Sequence, residues 1–175
     1  MTATPQGTTD TTLDPERVSL LEALAQQRYF FLHTVEGLTD DQARLTPTAS
    51  ELCLGGLVKH VALTERGWTD FVESGAMAGG EDADLEARAN EFRLLPDETL
   101  EGVVALYREV AAHTDELVRT CDLGADHALP PAPWFTPGER RSARRVFVHI
   151  LSELAHHTGH ADIIRESIDG QRSMG

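Results

Sequence analysis

Four long stretches of the chain carry apolar residues at helical spacing, and no stretch alternates convincingly at the period of two that a half-buried strand requires. The first stretch opens at Asp14-Pro15, a capping oxygen followed by proline at the first helical position, where its missing N–H costs nothing. Val18, Leu21, Leu24, Ala25, Phe31, Leu32 and Val35 follow, and Gly37 is read as the stop. Thr39-Asp40-Asp41-Gln42 fits a capping box and opens a short turn of helix before Pro47. The second stretch runs from Leu54 to about Glu73, with Leu57, Val58, Val61, Ala62, Trp68, Phe71 and Val72 on its apolar side. Gly55-Gly56 near its start weakens a helix, which predicts a close approach by another backbone. A glycine-rich acidic loop covers residues 74–84, and the charged segment after it carries no clear pattern. Pro96-Asp97 is read as the opening of the third helix, which reaches about Thr120. Residues 127–139 form a proline-broken loop, and the fourth helix runs from near Ser142 to just before Gly170. Each apolar stripe needs a partner to cover it, so the expectation is an all-α four-helix bundle over residues 14–175, preceded by a disordered lead-in over 1–13.

A chain of 175 residues can bury one core of useful size. Its 29 acidic residues against 15 Lys+Arg leave a formal charge of -14, which repels phosphate backbones and anionic lipid. Neither a nucleic acid nor a membrane is therefore an expected partner. One basic run, Arg140, Arg141, Arg144 and Arg145, departs from this balance; it is read first as a charged helix start and second as an anion-binding patch. Cys53 and Cys121 lie far apart with no metal or redox spacing, as expected of a cytoplasmic protein without a disulfide framework. Cys53 has no local base pattern and is read as a small helix-start residue rather than a nucleophile.

The segment HILSELAHHTGH, residues 149–160, concentrates four of the chain's eight histidines beside one glutamate. At about 100° per residue, His149, Glu153, His156, His157 and His160 fall within an arc of roughly 100° on the fourth helix. Val146, Ile150, Leu154, Ala161 and Ile164 form the apolar face beside that arc, so the polar stripe lies at the edge of the core. Three pairs share the i, i+4 spacing that lets two side chains reach one ion: His149 with Glu153, Glu153 with His157, and His156 with His160. Spacing alone does not choose among them. A third ligand from another helix is available in His60, which stands among apolar residues in LGGLVKHVALTERGW, while Lys59 and Arg66 can point outward. The competing readings are a core histidine at 60 and a solvated stripe on the fourth helix. His113 and His127 are expected in solvent, and His33 at the bundle end.

The stretches GLTDDQARL, LCLGGLVKHVALTERGW and VFVHILSELAHHTGHADIIRESIDG resemble the DinB-like superfamily, in particular its branch of mycothiol-dependent maleylpyruvate isomerase-like and mini-circle-type proteins. The resemblance spans most of the chain from about residue 15. It implies a four-helix bundle that holds a divalent metal, zinc or nickel, through one histidine of the second helix and two side chains of the last. His60 matches the first. Glu153 and His157 match the E-x-x-x-H variant of the last-helix pair. His160 then falls beside the site as a supporting residue or an additional ligand, His149 can orient the Glu153 carboxylate, and His156 is set aside as a decoy.

Two imidazoles and a carboxylate suit Zn²⁺ or Ni²⁺ and leave a coordination position open. The resemblance adds a low-molecular-weight thiol, mycothiol foremost, as cofactor. The expected function is a metal- and thiol-dependent transferase or isomerase acting on a small electrophile. The alternative is a non-enzymatic metal-binding bundle with a stress or sensor role, and a homodimer is possible in either case. The sequence closes at Gly175, so the extra C-terminal domain of maleylpyruvate isomerase is expected to be absent and maleylpyruvate itself is not the expected substrate.

Overall fold

The computed structural model describes residues 13–77, 85–133 and 135–173; the expected lead-in lies almost wholly outside them. Their elements run α1 (Pro15–His33), α2 (Asp40–Ala43), α3 (Leu54–Ser74), α4 (Leu85–Glu91), α5 (Leu100–Thr120), β1 (Asp126–Ala128), β2 (Arg140–Ser142) and α6 (Ala143–Asp169). The four long helices form the bundle: α3 packs between α5 and α6, and α1 closes the ring against α6 and α5. The expected four-helix bundle is the observed architecture, with one small two-stranded ribbon added to it.

Local chemistry explains each boundary. Asp14 accepts from the Arg17 amide, Thr39 and Gln42 close a reciprocal capping box, and Ser142 caps α6 through the Arg145 amide. Cys53 caps α3, its sulfur accepting from the Gly56 amide at 3.3 Å, which agrees with a helix-start role. Gly75 and Gly170 end α3 and α6 with φ of 73° and 80°, a region that costs other residues dearly.

Three expectations need correction. The first helix stops at His33 rather than Gly37, because the Thr34 hydroxyl bonds the Phe31 carbonyl and the chain tightens into a turn that Gly37 completes at φ 75°. The third long helix starts at Leu100 under a Thr99 cap; Pro96-Asp97 belongs to the preceding loop, which Glu98 braces by accepting from the Leu95 amide. A two-stranded antiparallel ribbon pairs Asp126 with Ser142 and Ala128 with Arg140. Its strands are three residues long and polar, too short for any period to register.

The core divides into two clusters along the bundle. One gathers Phe31, Leu54, Leu57, Val58, Val61, Tyr107, Leu154, Ala161 and Ile164. The other gathers Leu24, Trp68, Phe71, Val118, Val146, Phe147 and Ile150. Burying each such side chain stabilises the fold by roughly 2 kcal/mol. All four long helices contribute to both clusters, and His60, Glu153 and His157 lie on two that pack against each other, α3 and α6.

Candidate metal centre

His60 comes from the middle of α3, and Glu153 and His157 from successive turns of the facing α6. One ligand atom from each converges so that all three lie within 4.8 Å of one another; no other such group occurs among the described residues. The His60 and His157 rings meet edge to face with centroids 4.9 Å apart. His157 Nε2 lies 3.6 Å from Glu153 Oε2, and His149 Nε2 lies 3.7 Å from Glu153 Oε1. Both separations exceed a hydrogen bond. The side chains therefore converge without closing on each other.

The other histidines sort by place. His160 Nδ1 stands 3.5 Å from His157 Nδ1, on the side of the ring away from Glu153. His149 packs edge-on against Trp68. His156 is exposed and meets the His157 and His160 rings edge to face, outside the convergent group. His113 is exposed and faces Glu73, and His33 sits between Glu36 and Gln171 at the bundle end. His127 corrects the expectation of a solvated residue: it is half-buried against Phe71, with Nε2 3.2 Å from the Val72 carbonyl. Lys59 likewise does not run free into solvent, because its ammonium pairs with Glu98 at 2.6 Å. Of the basic run, Arg140 pairs with Asp126, Arg141 with Glu139 and Arg144 with Glu16, so most of that patch is neutralised in place.

Electrostatics keeps both candidate imidazoles neutral. Burial, then the neighbouring His157 and Arg88, push the His60 pKa down to about 4, against a partial pull upward from Glu153. Burial, then His156 and His160, lower His157 to about 4 as well. His149 is lowered by burial, and by Arg141 and Arg145, with Glu153 opposing. A neutral imidazole has a free lone pair, the form in which histidine binds a metal.

Residues that the sequence did not single out form one wall. Phe92 stacks on His60 with centroids 3.9 Å apart and rings 24° from parallel. Glu91 brings Oε2 to 3.6 Å from His60 Nδ1, a buried nitrogen with no hydrogen-bond partner. Both follow from the glycine pair. A Cβ on Gly56 would overlap the Phe92 carbonyl, and one on Gly55 would stand 2.8 Å from the Leu94 side chain. The close approach expected at Gly55-Gly56 is thus made by the segment that carries Phe92. Gly55-Gly56 was the one available signal for this wall, and it did not reveal which segment would arrive.

The mycothiol-S-transferase family model matches residues 19–170, which includes α3, α6 and all three convergent side chains. No curated protein matches the chain significantly. No helix among the described residues is long and apolar enough to cross a membrane. A match over nearly the whole bundle places this chain in the mycothiol-S-transferase family.

Proposed function

We propose that this chain is a divalent-metal-dependent mycothiol S-transferase acting on a small electrophile, with His60, Glu153 and His157 as the metal ligands. The observation that carries the proposal is the convergence of two neutral imidazoles and a carboxylate within 4.8 Å, unbonded to one another, in a chain of this family. The donor set fits: two nitrogens and one oxygen suit Zn²⁺ or Ni²⁺ and leave room for an exogenous ligand. When bound, such a metal supplies positive charge that lowers the pKa of a coordinated thiol from its usual value of about 8.5.

The protein's own residues hold this arrangement. Glu153 turns Oε2 toward His157 and Oε1 toward His149, so His149 faces the carboxylate from the far side, where a small closing movement would let it orient that group. His160 faces His157 Nδ1 and leaves Nε2 directed toward Glu153. Phe92 and Trp68 cover His60 and His149 with aromatic surface and keep water from those sides of the rings. The proposed setting is cytoplasmic, where both free cysteines and a small thiol cofactor stay reduced.

Protein purified without added metal should contain close to one equivalent of zinc or nickel. It should transfer mycothiol to a generic electrophile such as a haloaromatic or bimane reagent, and His157→Ala should abolish both metal and turnover. Bound metal with no mycothiol-dependent turnover across a broad electrophile panel would replace this proposal with a non-enzymatic metal-binding bundle.

A further inference from the structure

We propose that Glu91, from the short helix α4, is a positioning carboxylate for His60. It accepts a hydrogen bond from Nδ1–H and fixes the tautomer whose Nε2 lone pair is free for the metal. The inference rests on the assignment of His60 as a ligand. Three observations converge on it.

First, His60 Nδ1 is buried and has no hydrogen-bond partner, and the carboxylate facing it is Glu91, with Oε2 at 3.6 Å. A buried N–H without an acceptor is unfavourable, and only a small closing movement is needed to supply one. Second, the Thr64 hydroxyl lies 3.5 Å from the other ring nitrogen, Nε2. In the metal-free protein that hydroxyl can donate to an unprotonated Nε2, a weak contact that a metal would displace, so both flanking groups favour the same tautomer. Third, Glu91 is held by a built scaffold. The adjacent Phe92 stacks on the His60 ring, and its carbonyl seats against Gly56, where no side chain could stand. The side chain of Glu91 remains about one-third exposed, at 35%. Its charge is thus partly hydrated, and the fold does not need it as a core contact.

Metal-ligating histidines commonly donate their second nitrogen to a carboxylate, and losing that partner costs roughly 10- to 100-fold in affinity. The test measures Co²⁺ and Zn²⁺ affinity by chelator competition, the Co²⁺ absorption spectrum and the melting temperature of the metal-free protein. Glu91→Ala should weaken both metals by roughly 10- to 100-fold. Its Co²⁺ spectrum at saturation should match the unmodified protein, and its metal-free melting temperature should fall by no more than a few degrees, the loss of one hydrogen bond. Glu91→Gln keeps an acceptor oxygen and should fall between. Unchanged affinity in Glu91→Ala would overturn the inference alone. So would an altered Co²⁺ spectrum, which would make Glu91 a ligand. If the unmodified protein binds neither metal, or His157→Ala binds as tightly, the metal centre itself fails and this inference falls with it.

Discussion

Two glutamates of this bundle sit among polar partners and are treated in opposite ways. Glu65, on α3, is 2% exposed. Its Oε1 accepts from Arg28 Nη2 at 2.8 Å and from the Thr114 hydroxyl at 2.6 Å, and Arg28 reaches on to Asp115 at 2.6 Å. Burial works against the Arg28 charge, yet the Glu65 and Asp115 carboxylates outweigh it and raise the guanidinium pKa. Glu153, on α6, has imidazoles on both sides at 3.6 and 3.7 Å and makes a full-strength bond to neither. His60 and Glu65 are five residues apart on one helix, about 140° around its axis. One side of α3 thus closes on a counter-charge, while another keeps lone pairs unspent. The first cluster pairs opposite charges, although Glu65 Oε2 and Arg28 Nε stay without partners; the second brings donors together with no counter-charge between them, as a cation site requires.

The sharpest way to break this comparison is to remove each carboxylate in turn. Glu65→Ala leaves the buried Arg28 guanidinium with Asp115 as its one carboxylate and the Thr114 hydroxyl without its acceptor, and should cost about 3 kcal/mol, read by urea denaturation, while metal affinity stays unchanged in whatever fraction remains folded. A loss under about 1 kcal/mol would show that the network is not a closed ion pair in this sense.

The next effect is a pH dependence to which the candidate centre contributes most. In the metal-free chain His60 and His157 titrate near about 4, against about 6.5 when unfolded. Between those values the unfolded chain binds protons that the folded chain refuses. Stability therefore falls as pH drops from about 6.5 to about 4 and levels off below, by on the order of 3 kcal/mol for each imidazole. Chemical denaturation across that window should show the slope, and His60→Ala should roughly halve it; a flat profile in the unmodified chain would remove the support for buried neutral imidazoles.

A metal bound only by the folded state should add about 2.7 kcal/mol at one hundred times its dissociation constant. Zinc or nickel should accordingly raise the melting temperature of the metal-free protein, with no rise in His157→Ala. The smallest effect is the counterpart of the first. Glu153→Ala should change metal-free stability by less than about 1 kcal/mol, since its side chain is 36% exposed and breaks no full-strength hydrogen bond. Its cost should appear in metal affinity instead.

Much of this was legible in the chain, for particular reasons. The α3 and α6 stripes read correctly because Leu57, Val58, Val61, Val146, Ile150 and Leu154 all recur at helical spacing and are buried. The arc of His149, Glu153, His156, His157 and His160 followed from helical geometry, which could not tell the exposed His156 from the rest, and His60 stood out as a lone histidine on an apolar face. Selecting Glu153 and His157 needed the family resemblance, because three i, i+4 pairs were equivalent by spacing. The Arg28–Glu65–Thr114 network was invisible, since its members come from three helices and share no local pattern. α1 was read as a plain apolar stripe, yet it buries Arg28 and leaves Val18 37% exposed. The wall formed by Glu91 and Phe92 arises from a long-range contact at Gly56, which sequence periodicity cannot encode.

The most direct test of the metal centre is an anomalous-scattering crystal structure of protein purified without metal supplementation, collected at the edge of the element found in it. One peak should lie roughly 2.0–2.2 Å from an imidazole nitrogen of His60, a carboxylate oxygen of Glu153 and an imidazole nitrogen of His157. A metal held elsewhere, or no peak between those three side chains in protein that binds metal in solution, would contradict the account.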